Sequence, residues 1–195
     1  KLCIITREGR IMTAKIIDGK KYADLIREEV KDQVQLRLKY GKPAPGLATV
    51  LVGEDPASQV YVRSKHRACE QAGIRSIGRV LPADVLQKEL EQVIQTLNAD
   101  HQVNGILVQL PLPKGLDEER VLSAISLEKD VDGFHPMNIG RLAQKGREPL
   151  FIPCTPAGVI YLLKQTLPSL EGKNAVVLGR SNIVGMPVAL LLIKE

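Results

Sequence analysis

Tyr61 and Lys65 stand four residues apart in "YVRSKHRACEQAG" (Tyr61–Gly73), which brings a phenol ring and an amine onto adjacent turns of one helix face. A tyrosine ring stacks on a planar ligand. A lysine desolvated beside it has its pKa lowered toward neutrality and becomes a usable acid or base. The same pair also fits an aromatic core residue next to a lysine that snorkels at a core margin. The helix itself follows from Asp55-Pro56, an N-cap with proline at the first helical position, and from Gly73 as a stop. Tyr61, Lys65, Ala68, Cys69 and Ala72 form one stripe, expected to face the core.

Gln109 interrupts the apolar run "GILVQL" at its carboxyl end, just before "PLP". In open α/β sheets the ligand crevice lies outside those strand ends, so an amide there can orient a lysine or a substrate heteroatom; it can equally cap a loop. Asp130 and Asp132 in "KDVDG" read either as an Asp-Gly turn or as carboxylates offered to an amide-like N–H edge. With no His or Glu at ligand spacing, no metal site is expected. His66, His101 and His135 share no spacing that suggests a triad and are assigned to surface or loops.

"VVLGRSNIVGMP" follows a strand-like run and opens a helix, the setting of a phosphate-binding turn. Ser181 stands where G-x-G-x-x-G has its middle glycine, and Gly185 falls one residue late. Arg180 is placed to meet a 2′-phosphate, which favours NADP over NAD. An ordinary strand-to-helix turn fits the segment as well.

The elements that must position these residues alternate. A helix from about Lys20 to Tyr40 carries Tyr22, Ile26, Val30, Val34 and Leu38 every four residues, with Gly41 as stop. Then come strand "ATVLVG", the Tyr61 helix, strand "IRSIGRVL", a helix over Leu86–Leu97, strand Gly105–Leu110 and a helix over Asp117–Ile125. That order predicts an α/β fold, a parallel sheet with helices on both sides. A polar loop through "EKDVDGFHP" leads to a helix over Ala157–Gln165 and to a strand in "NAVVLG". Residues 12–149 are expected to form one α/β domain and 150–195 the beginning of a Rossmann-like nucleotide-binding domain, with the boundary near Pro149. Met12 is a candidate start, so residues 1–11 are set apart as a tail.

The 195 residues are 44% hydrophobic, with 27 Lys and Arg against 22 Asp and Glu. Of the net +5, Lys1, Arg7 and Arg10 against Glu8 place +2 in the first eleven residues, leaving +3. Without a basic run or interleaved aromatics, this argues for anionic small molecules and against nucleic acid. Cys3, Cys69 and Cys154 lack disulfide or zinc spacing, which fits a reducing cytoplasm. No stretch approaches the roughly 20 apolar residues of a membrane span.

Five segments in order, "PGLATVLVGEDPASQVYVRSK", "GILVQLPLP", "EKDVDGFHP", "PCTPAG" and "GRSNIVGMP", resemble the bifunctional methylenetetrahydrofolate dehydrogenase/methenyltetrahydrofolate cyclohydrolases. The resemblance runs from about Ala14 onward. It implies oxidation of 5,10-methylenetetrahydrofolate with NADP⁺ and hydrolysis of the methenyl product to 10-formyltetrahydrofolate, in a cytoplasmic homodimer serving one-carbon metabolism and purine biosynthesis. It further implies that Tyr61 stacks on the aminobenzoyl ring, that Lys65 is the catalytic lysine tuned by Gln109, and that Asp132 grips the pterin edge, with Leu110 lining the substrate site. Thr155 would lie near the nicotinamide, and Gly179, Arg180, Ser181 and Gly185 at the cofactor phosphates. Family members extend further than this chain, so a truncated, non-catalytic folate-binding or interaction fragment is the alternative. A short-chain dehydrogenase shares Y-x-x-x-K but carries its glycine turn before that pair, and the order here excludes it.

Overall fold

The computed structural model describes Cys3–Ile5, Ile11–Thr13 and residues 16–195. Strands β1 (Cys3–Ile5) and β2 (Ile11–Thr13), two short aliphatic runs, pair antiparallel where the sequence reading set a tail apart.

Helix α1 (Gly19–Lys39) leads to β3 (Gly46–Val52), α2 (Pro56–Ala72), β4 (Arg75–Leu81), α3 (Gln87–Ala99), β5 (Gly105–Val108) and α4 (Glu118–Ser123). The three strands form one parallel sheet in the order β4-β3-β5. The central strand β3 is nearly all buried and reads as a continuous aliphatic run, as a parallel strand covered on both faces must. Strand β4 lies at the edge, and its arginines accordingly face water.

Alternation along β3 sends Ala48, Val50 and Val52 to one face, where they pack with Ile106, Val108, Leu90, Ile94, Leu97 and Val121. Leu90, Ile94 and Leu97 recur at helical spacing on α3, so one stripe of that helix closes this core. Thr49 and Leu51 take the opposite face, covered by α2. A second core gathers Leu142, Ile160 and Leu191 from α5 (Pro136–Ala143), α6 (Cys154–Thr166) and α7 (Gly185–Lys194). Tyr22 of α1 meets Tyr161 of α6 edge to face at 6.0 Å.

Four expectations need correction. On α1 only Val34 of the four-residue repeat is buried, Tyr22 being half-buried against α6 and Ile26, Val30 and Leu38 exposed. Helix α5 was not foreseen, although His135-Pro136 is a start signal: the imidazole Nδ1 accepts from the Met137 amide at 3.0 Å. Helix α6 begins at Cys154, three residues early, because Pro153 and Pro156 fit a first turn that needs no amide donor. The run Asn174–Gly179 makes no ladder among the described residues, and Val176 and Leu178 are 86% and 96% exposed. A strand exists only through its partners, and no described segment lies alongside this one.

Candidate active site

Helix α2 is fixed at both ends. Asp55 accepts from the Ser58 amide at 2.7 Å, Pro56 opens the first turn, and Gly73 closes the helix at φ 75°, a left-handed conformation that glycine adopts without strain. Its buried stripe consists of Ser58, Val62, Cys69 and Ala72. Tyr61, expected inside, is 62% exposed. The helix is rotated so that Lys65, half-buried, borders the core while Tyr61 stands in the open one turn earlier.

From there the Lys65 ammonium reaches the end of β5 and donates to Gln109 Oε1 at 3.1 Å. Gln109 follows directly on the strand; its amide N–H donates to Val50 O at 2.8 Å, so its backbone is held by the central strand. Its side-chain Nε2 donates to Leu110 O at 2.7 Å, which leaves only Oε1 to face the lysine. Lysine, glutamine and the Leu110 carbonyl thus form one chain at the carboxyl edge of the sheet, where open α/β folds bind ligands.

Asp132 enters from the crossover after α4. Lys129 anchors this loop by donating from Nζ to the carbonyls of Leu97, Asn98 and Asp100 at 3.1, 2.7 and 2.9 Å, a cation at the negative end of α3. Asp130, fully buried, accepts from the amides of Phe134 and His135 and from Asn138 Nδ2. Gly133 at φ 71° lets the chain lie against the next segment; a Cβ there would stand 2.7 Å from Ile152 C and Pro153 N. Of the two aspartates, Asp130 therefore serves the fold, while Asp132, half-buried, lies within electrostatic reach of Lys65.

Burial pushes the Asp132 carboxyl above its ordinary value, the Lys65 charge pulls it back in part, and Asp130 adds to the rise. The neighbouring Cys154 thiol is raised as well, first by burial around it and then by Asp132, with Lys65 opposing. Lys65, Asp132 and Cys154 therefore form one electrostatic cluster. Cys154 was not singled out in the sequence; its signal was Pro153 at the start of α6. Thr155 is the second residue of that helix and is exposed. His66, assigned to the surface, is instead half-buried and bonded to Thr49. Among the described residues no three or more His, Cys, Asp or Glu side chains gather as a metal would require, and no helix is long and apolar enough to cross a membrane.

The second glycine turn is tight. Gly179 has φ 129°, and a Cβ on Gly185 would fall 2.5 Å from Gly179 O, so both positions need glycine. Ser181 Oγ accepts from the amides of Val184 and Gly185 at 3.2 Å each, in the turn that leads into α7. Arg180 is exposed beside it. A close-packed glycine turn, a hydroxyl, a guanidinium and a helix N-terminus fit the phosphates of a dinucleotide.

Fold and site together define a two-part α/β chain with Lys65 hydrogen-bonded to Gln109 at the carboxyl edge of a parallel sheet and a glycine turn further along the chain. The chain belongs to the tetrahydrofolate dehydrogenase/cyclohydrolase family: the catalytic-domain description matches residues 17–132 and the NAD(P)-binding-domain description residues 153–195. It is 55% identical over 183 residues to bifunctional protein FolD 2 of Arabidopsis thaliana, covering 93% of this chain and 61% of that one. It is 57% identical over 182 residues to bifunctional protein FolD of Moorella thermoacetica, covering 93% and 64%. The chain thus spans about three fifths of the length of these curated relatives. Among solved structures, the Campylobacter jejuni bifunctional FolD enzyme superposes with TM-score 0.86 at 47% identity, over 92% of this chain and 63% of that one. The Trypanosoma brucei dehydrogenase-cyclohydrolase, complexed with NADP cofactor and inhibitor, gives 0.89 at 41%, over 93% and 62%.

Proposed function

We propose that this chain carries the folate site and part of the cofactor site of an enzyme that oxidises 5,10-methylenetetrahydrofolate with NADP⁺ and hydrolyses the methenyl product to 10-formyltetrahydrofolate. The observation that carries the reading is the Lys65–Gln109 contact at the carboxyl edge of the sheet, with Asp132 within electrostatic reach of the same amine.

In hydrolysis, water attacks the methenyl carbon and loses a proton, and a ring nitrogen takes a proton as its bond to that carbon breaks. Lys65 is the group placed to move these protons, and Gln109 holds its amine toward the cleft. Tyr61, exposed one turn before Lys65 on α2, would offer a face to the aminobenzoyl ring, Asp132 would accept from the pterin edge, and Leu110 would line the substrate site. A carboxyl raised by burial is one whose charge is poorly solvated, so a ligand N–H that bonds it is favoured. For oxidation, bound NADP⁺ supplies the hydride acceptor. Gly179, Arg180, Ser181 and Gly185 would hold its phosphates, and Thr155 would lie toward the nicotinamide. The protein's share in that step is orientation of two planar partners.

The domain division follows at about Pro149, with residues 12–149 as folate domain and 150–195 in the cofactor domain; α5, which packs with α6 and α7, bridges the two. We further propose a cytoplasmic homodimer serving purine biosynthesis; the free thiols Cys69 and Cys154 support a reducing compartment. A second reading, folate binding without turnover, is favoured by the unpaired Asn174–Gly179 run. Mixing the chain with 5,10-methylenetetrahydrofolate and NADP⁺ separates them. Formation of reduced cofactor supports the enzyme, and folate binding with no reduced cofactor supports the second reading.

A further inference from the structure

His66 has no part in the chemistry above, yet it is built into the sheet. Its Nε2 shares a 2.7 Å hydrogen bond with Oγ1 of Thr49, a β3 hydroxyl only 1% exposed. The partner of Thr49 across the ladder is Gly78 of β4. A Cβ on Gly78 would stand 3.1 Å from His66 Cε1, so the imidazole occupies the notch that the missing side chain leaves.

The next residue of β3, Val50, accepts from the Gln109 amide at 2.8 Å, and the next residue back on α2, Lys65, donates to Gln109 Oε1. A closed ring results: Lys65 to His66 along the helix, His66 to Thr49 by one hydrogen bond, Thr49 to Val50 along the strand, Val50 to Gln109 by a second, and Gln109 back to Lys65 by a third. Apolar contacts between a helix and a sheet are non-directional, whereas a short hydrogen bond at the base of a notch fixes both roll and slide. We infer that His66 is a positioning residue for Lys65, with Thr49 and Gly78 as its seat. Naming Lys65 the proton carrier rests on the proposed function; the geometric claim does not.

The test is trace acylation of the whole chain, reading the reactivity of Lys65 against the exposed Lys39 and Lys114 by peptide mass spectrometry. Thr49→Val and His66→Leu should change the relative reactivity of Lys65 by about fivefold, the equivalent of one net hydrogen bond. Thr49→Ser and His66→Gln, which keep the bond, should restore it. Methenyltetrahydrofolate hydrolysis should follow the same order in kcat with KM little changed. Unaltered Lys65 reactivity in folded Thr49→Val and His66→Leu overturns the inference, because a merely structural role lowers the melting temperature and leaves the amine alone. If those two do not fold, Gly78→Ala, which crowds the ring without removing a polar group, takes the same readings. If the parent hydrolyses nothing, the proposed function fails while the acylation ratio still decides this point.

Discussion

The Asp130 carboxylate and the Asn138 amide, each 1% exposed, meet at 2.7 Å and tie the loop after α4 to helix α5. Asn138 continues the tie by accepting at Oδ1 from the Leu150 and Phe151 amides at 2.9 and 3.4 Å. One buried amide therefore joins the segment that bears Asp132 to the segment that leads into Cys154. Asn138→Ala leaves a buried carboxylate short of a donor and the Leu150 and Phe151 amides without this acceptor, and is expected to destabilise the chain by about 2–4 kcal/mol. Urea denaturation of the variant checks this, and a loss below ~1 kcal/mol would contradict the assigned network.

Asp132→Asn should stabilise the fold while weakening folate binding. Burial raises the folded carboxyl above its ordinary 3.8, so the folded chain holds this proton more tightly than the unfolded chain. The stability it contributes is full below that ordinary value and is lost as pH rises through the raised one. Asparagine has no charge to desolvate. The variant should melt above the parent near neutral pH, with the gap closing as pH falls toward 3.8. A variant that melts lower at neutral pH would show that the Lys65 attraction outweighs burial.

Cys154 reports on the same cluster without any ligand. Cys154 is exposed at the start of α6, yet its thiol is raised above the ordinary value, so alkylation should be slower than at an unperturbed exposed thiol. Removing the Asp132 charge should speed alkylation of Cys154, and Lys65→Met should slow it. Peptide-resolved labelling with iodoacetamide reads both, and equal rates in all three chains would dissolve the cluster.

Gly185→Ala is expected to damage the glycine turn and the seating of α7 while leaving the Lys65 site intact. Its Cβ would fall 2.5 Å from Gly179 O, so the turn must open before α7 can form. NADP⁺ affinity should drop by roughly tenfold or more, about 1.4 kcal/mol, as the turn gives way. The Lys65–Gln109 contact and folate binding should remain, which paired titrations with the two ligands would show.

The sheet and the helices on it were legible because their signals are local: an aliphatic run for β3, Asp55-Pro56 and Gly73 for α2, Gln109 breaking an apolar strand. Tyr61 was misplaced because the period of α2 fixes a stripe but not which edge of it meets the sheet, and the rotation depends on His66 and Thr49, residues of unremarkable type. Asp130 and Asp132 were inseparable in sequence, since only the three donors that converge on Asp130 assign it to the fold. The Asn174–Gly179 run has strand composition, but pairing is non-local and no composition supplies it.

The most direct measurement of the central claim is hydrolysis of 5,10-methenyltetrahydrofolate by this chain and by its Lys65→Met variant, a reaction that needs no nicotinamide cofactor. A parent that hydrolyses the substrate and a variant slower by about 10²–10⁴, with folate still bound, is the predicted result. A folded variant that hydrolyses at the parent's rate would contradict the assignment of Lys65.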